Sequence, residues 1–106
     1  VAHAPTLTGL GERAHLLTPA VDLALHVEDL AAHQFYEDVR DATLVGHSYA
    51  GMVITALAER AADRLAALVY LDAFVPADGQ CLLDLLPPAR RAYCALLPAL
   101  ATAYRT

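Results

Sequence analysis

The stretch DATLVGHSYAGMVITALAERAADR, residues 41–64, followed at once by LAALVYLDAF, residues 65–74, decides the fold. Asp41 to His47 reads as a short buried strand whose apolar run reaches Val45. Small and polar residues interrupt it at Gly46, His47, Ser48, Tyr49, Ala50 and Gly51, and the apolar run then resumes. Tyr49 to Arg64 reads as a helix, apolar nearly all round at first and turning polar at Glu59, Arg60 and Asp63, where it should surface. Leu65 to Phe74 is the next strand, apolar without alternation. Continuous apolar strands separated by a helix predict an α/β class with a parallel sheet covered on both faces. The strands at Thr43–Gly46 and Leu68–Leu71 should pair in parallel, joined by a right-handed crossover.

Working outward, DLALHVEDLAAHQF (residues 22–35) has Leu23, Val27, Leu30 and Ala31 at helical spacing, with Glu28 and Asp29 off that stripe. Asp22 is an N-cap candidate because its carboxylate can accept an orphan backbone N–H. Thr18 before Pro19 is an alternative start. His26 and His33, on this helix, are expected at the surface or half-buried. VAHAP (residues 1–5) reads as the end of a strand stopped by Pro5, and TLTGLGERAHLLTP (residues 6–19) as a loop punctuated by Gly9 and Gly11. Past Pro76 and Gly79, Leu82 to Leu100 reads as helix broken by Pro87, Pro88 and Pro98, its leucine pairs in need of a partner surface.

The chain has 106 residues, 58% hydrophobic and 18% charged, which fits one small globular domain and argues against disorder. No apolar run approaches the roughly 18 residues of a membrane span, so no membrane partner is expected. The first ten residues show no leader pattern and there is no initiating Met, which fits a start inside a longer gene product. Net charge is −5, and all seven fixed cations are scattered arginines, only Arg90 and Arg91 being adjacent. That distribution speaks against nucleic-acid binding. Cys81 and Cys94 lack a dense framework and read as free thiols of a reducing compartment, hence a cytoplasmic expectation. No Cys/His cluster has zinc spacing, and no cofactor is implied.

A serine held between small residues where a strand turns into a helix is a nucleophile candidate. The turn strains its backbone, its Oγ projects from the C-terminal edge of the sheet, and the helix N-terminus offers backbone N–H groups to a developing oxyanion. LVGHSYAG (residues 44–51) resembles the nucleophile elbow of the α/β-hydrolase superfamily. APTLTGLGER (residues 4–13) is similar to the A-P-D-L-x-G-x-G segment after an earlier strand. LVYLDAFVPADGQ (residues 68–80) resembles the following strand in an esterase and hydroxynitrile-lyase-like branch. The resemblance covers roughly residues 1–90. One departure lies at the elbow, where Ala50 takes the second small position and glycine is displaced to Gly51.

The resemblance implies Ser48 as nucleophile and the N–H of Tyr49 as one oxyanion donor, with Tyr49 and Met52 close to the site. It also implies an acid and then a histidine later in the chain. No histidine follows His47. His47 faces elsewhere in this turn, and His3, His15, His26 and His33 precede Ser48, against the family's order. Most relatives place the acid beyond residue 106, and a minority place it where Asp72 stands; the alternative is a carboxylate bonding nearby loop amides. Asp78 and Asp84 read as turn and helix-start residues. The second oxyanion donor and the strand that carries it have no counterpart here. In the family's sheet that strand separates the one ending at Pro5 from the one ending at His47. Without it the gap is about 10 Å, twice the strand spacing, and Val1–Ala4 should pair with neither remaining strand. The expectation is one incomplete domain over residues 1–106: a partial core over about 1–75, and the start of a cap over about 76–106. This central fragment of a serine hydrolase would act on a small ester-type substrate, with the isolated chain inactive. The alternatives are a hydroxynitrile-lyase-like fragment and a non-catalytic binding module. They separate on what flanks these residues in the reading frame.

Overall fold

A computed structural model describes residues 1–77, 82–85 and 87–88. Helix α1 spans Leu23–Tyr36. Asp22 sets its start, its extended backbone leaving Oδ1 to accept the Leu25 N–H at 2.9 Å. Thr18 instead closes a small turn, its hydroxyl accepting from the Ala20 N–H at 3.2 Å. Strand β1, Ala42–Ser48, runs into helix α2, Ala50–Ala61. The last residues read as helix, Ala62–Arg64, tighten into a 3-10 turn before strand β2, Leu65–Ala73. A single helical turn, Leu82–Leu85, is α3. Most of the proposed cap, with Asp78, Cys81 and Cys94, lies outside the described residues.

The two strands pair in parallel, as the apolar runs predict, with Leu44 opposite Leu68 and Val45 opposite Val69. Helix α2 lies directly on them. A Cβ at Gly46 would sit 2.8 Å from Ile54 Cδ1 and 2.9 Å from the Ala50 carbonyl oxygen, so glycine is what lets helix and strand approach. The core forms between the helices, from Leu23 and Val27 of α1 and Met52, Val53 and Leu57 of α2, with Leu44, Phe74 and Leu85 packed against it. The exposed end of α2 falls at Glu59 and Arg60, as the polarity change predicts. Arg64 then pins the α1–β1 connection, its guanidinium donating to the carbonyls of Gln34 and Val39 at 3.3 and 3.2 Å.

Two elements differ from expectation. Residues 11–16, inside the segment read as loop, form a 3-10 helix, Gly11–Leu16. Val1–Pro5 forms no strand, because a strand requires a hydrogen-bonded neighbour and this segment has none among the described residues. A cleft of about 950 Å³ opens instead between Val1, His3 and Pro5 on one side and Thr43 and Val45 on the other. Gln34 of α1 lines that cleft. It is buried, and both polar atoms of its side chain lack a hydrogen bond among the described residues. The failure of Val1–Ala4 to pair with β1 or β2, expected from the sequence, is thereby accounted for.

Candidate active site

Ser48 is the last residue of β1 and adopts φ +53°, a left-handed backbone that a non-glycine residue holds at a cost of about 1–3 kcal/mol. The surroundings maintain it. The Phe74 N–H, just past β2, donates to the Ser48 carbonyl at 3.1 Å, and the Met52 N–H donates to the Tyr49 carbonyl at 2.9 Å as α2 begins. Tyr49 therefore stands at the positive end of a 12-residue helix. The glycine demand of the turn is displaced by one residue from the expected position. A Cβ at Gly51 would fall 2.1 Å from the Phe74 carbonyl oxygen and 2.9 Å from the Ala73 Cβ, which no side chain tolerates. Ala50 meets no such barrier and is only half-buried.

Asp72 lies at the same edge of the sheet. The register runs from His47 opposite Leu71 to Ser48 opposite Ala73, so Asp72 is an extra, bulged residue, with φ +46°. It is exposed, and its carboxylate makes no hydrogen bond among the described residues, to a loop amide or to a histidine.

No described histidine bonds to Ser48. His47 is exposed on β1, one residue out of phase with the side that α2 covers. His15 is exposed in the 3-10 helix, and the rings of His3 and His33 bond to each other at 3.0 Å. His26 corrects the sequence reading: instead of lying at or near the surface it is 1% exposed. One ring nitrogen faces the Thr8 carbonyl at 2.9 Å and the other the Tyr49 hydroxyl at 2.8 Å. Met52 is likewise enclosed in the core among Leu23 and Val27. No group of three or more metal-ligating side chains occurs among the described residues.

Sequence reasoning passed over Asp29 and Thr8 as well. Asp29 accepts from the Thr8 N–H at 2.6 Å and from its hydroxyl at 2.8 Å, with the Arg13 guanidinium 3.8 Å away. One signal for His26 was available. It stands three residues after Leu23 and next to Val27, on the apolar stripe of α1, as does Gln34 four residues after Leu30.

A parallel sheet carrying a left-handed serine at its C-terminal edge, backed by a helix N-terminus, defines the α/β hydrolase class. The sequence matches the Alpha/beta hydrolase family over residues 1–106, and the chain belongs to it. It is 52% identical over 85 residues to the carbendazim hydrolyzing esterase of Nocardioides sp. (strain SG-4G), covering 80% of this chain and 35% of that protein. Among solved structures it resembles an extracellular alpha/beta-hydrolase from a Paenibacillus species, described as sharing structural and functional homology with Tobacco Salicylic Acid Binding Protein 2. That match has a TM-score of 0.79 and 28% identity, over 88% of this chain and 37% of the other. The chain thus spans about a third of the length of the relatives it matches. Among the described residues no helix is long and apolar enough to cross a membrane.

Proposed function

We propose that Ser48 is the nucleophile of an esterase whose central segment is residues 1–106. The observation that carries this reading is the left-handed Ser48 at the strand-to-helix turn, φ +53°. Kinship to a protein named an esterase supports the ester substrate. In the reaction, Ser48 Oγ gives its proton to a base and bonds to the carbonyl carbon of a small ester. The oxyanion collects against the Tyr49 N–H, the alcohol leaves with a proton, and water then releases the acid from the acyl-serine. The base would be a histidine beyond residue 106, since the family's order runs serine, acid, histidine. Asp72, bulged beside Ser48, is the candidate within this segment for the acid that orients it.

The test is turnover of a short-chain p-nitrophenyl ester by the full-length gene product and by residues 1–106 alone. The full-length product should hydrolyse it and lose that activity in Ser48→Ala; residues 1–106 should show negligible turnover. Substantial turnover by the short chain, abolished by Ser48→Ala, would mean that the base lies within it. Retained activity in full-length Ser48→Ala would remove Ser48 from the chemistry.

A further inference from the structure

We infer that His26 is a positioning residue for the turn at Ser48, acting through the side chain of Tyr49; the inference rests on reading Ser48 as the nucleophile. His26 is 1% exposed, and both of its ring nitrogens are engaged. The Thr8 carbonyl, 2.9 Å from Nε2, can only accept, so Nε2 carries the hydrogen. In the neutral ring Nδ1 is then an acceptor, and the Tyr49 hydroxyl, 2.8 Å away, donates to it. For the neutral ring, geometry thereby fixes the tautomer. The rings meet edge to face, centroids 5.6 Å apart at 74°.

The linkage continues beyond the imidazole. Thr8 is gripped through its N–H and its hydroxyl by the two carboxylate oxygens of Asp29. A hydrogen-bonded line therefore runs from Asp29 to Thr8, to His26, to Tyr49, ending one peptide from Ser48. It ties the loop before the 3-10 helix and α1 to the first residue of the α2 turn. An apolar side chain would fill this buried space without the desolvation cost of two ring nitrogens. The imidazole supplies what an apolar group lacks: an acceptor that fixes the Tyr49 hydroxyl while its other side holds the loop.

The functional consequence follows from where Tyr49 sits. Its backbone N–H is the proposed oxyanion donor, and the torsions on either side of the Ser48–Tyr49 peptide set both the direction of that N–H and the placement of the tyrosine ring. Anchoring the ring limits those torsions before substrate arrives. A donor held in place acts on charge that develops in the transition state, so its loosening appears in kcat and not in KM.

Two substitutions in the full-length gene product separate this role from simple packing. His26→Gln keeps an N–H within reach of the Thr8 carbonyl but carries its acceptor, Oε1, on that same amide group and not at the ring position that faces the tyrosine. Tyr49→Phe keeps the ring and removes only the hydroxyl. Each should lower kcat on a short-chain p-nitrophenyl ester by about two- to tenfold with KM unchanged, the range for one net hydrogen bond. The double variant should be no worse than either single one. Nitrogen-15 spectra of the imidazole should show Nε2 protonated and Nδ1 bare, with the Nδ1 signal moving in Tyr49→Phe. Additive losses, a thermal midpoint that falls while kcat is unchanged, or an Nδ1-protonated ring would each overturn the inference. Should His26→Gln fail to fold, Tyr49→Phe and the nitrogen signals decide alone. Activity surviving in Ser48→Ala would defeat the nucleophile reading instead, and the spectra would still report on the His26–Tyr49 bond.

Discussion

The two faces of the β1–β2 sheet carry similar residues and meet different surroundings. On one, Leu44, Gly46, Leu68 and Tyr70 lie beneath α2, and Tyr70 closes the layer with a 2.6 Å hydroxyl contact to Thr55, which in turn donates to the Gly51 carbonyl at 2.7 Å. On the other, Val45 and Leu71 are each 59% exposed and Val69 is 43% exposed, among the described residues. Val45 and Val69 are direct neighbours across the strands, as are His47 and Leu71. A sheet built to face water would alternate apolar with polar positions; a parallel sheet built to be covered twice does not. The apolar pattern thus specifies that both faces be covered and is silent on what covers them.

The sharpest way to break this contrast is at Leu57, on the α2 side, which is fully buried. Leu57→Ala should cost about 2–5 kcal/mol, lost transfer energy plus an unfilled cavity, read from the urea midpoint of the full-length gene product. A cost below about 1 kcal/mol would mean that α2 is not the core helix described above.

The bare face should behave oppositely in two contexts. In residues 1–106 alone, Val45→Thr with Leu71→Thr should reduce self-association in sedimentation velocity and leave the far-ultraviolet spectrum unchanged, because exposed apolar patches drive association. In the full-length product the same pair should destabilise by about 1–3 kcal/mol if further chain covers that face. Equal behaviour in both would show that the face is meant for solvent.

The smallest effect belongs to an exposed tie between the two helices. Arg60 of α2 donates to Glu28 of α1, and this hydrogen bond holds the Glu28 carboxyl below its ordinary pKa. A depressed folded-state pKa adds stability above the unfolded value and loses it as pH falls through the folded value. Glu28→Gln should therefore lower the thermal midpoint slightly at neutral pH, with the difference from the parent vanishing in acid. Because the pair is solvent-exposed, high salt should erase the difference too. A difference that persists in acid would assign the effect to packing of the glutamate stem.

Much of this architecture was legible in the sequence because it is local. The Asp22 cap, the two apolar strands and the small residues around Ser48 each announce themselves within a few positions. What was not legible depends on residues far apart in the chain. Thr8 and Asp29 meet only because the loop folds over α1, and the burial of His26 depends on where α2 brings Tyr49. The Val1–Ala4 segment shows the same limit from the other side: its composition suits a strand, but strands exist only in pairs. The role of Asp72 is likewise unreadable from type alone, since bulge and register place it, not its neighbours in sequence.

The contact between Gly51 and the Phe74 carbonyl also constrains which substitutions this turn can accept over generations. Position 50 already accommodates a methyl group, half-buried as it is, whereas position 51 admits no side chain while β2 ends where it does. Drift at the turn is therefore lopsided. Lineages that share this strand ending should vary at the site the usual pattern treats as fixed, and hold firm one step further along.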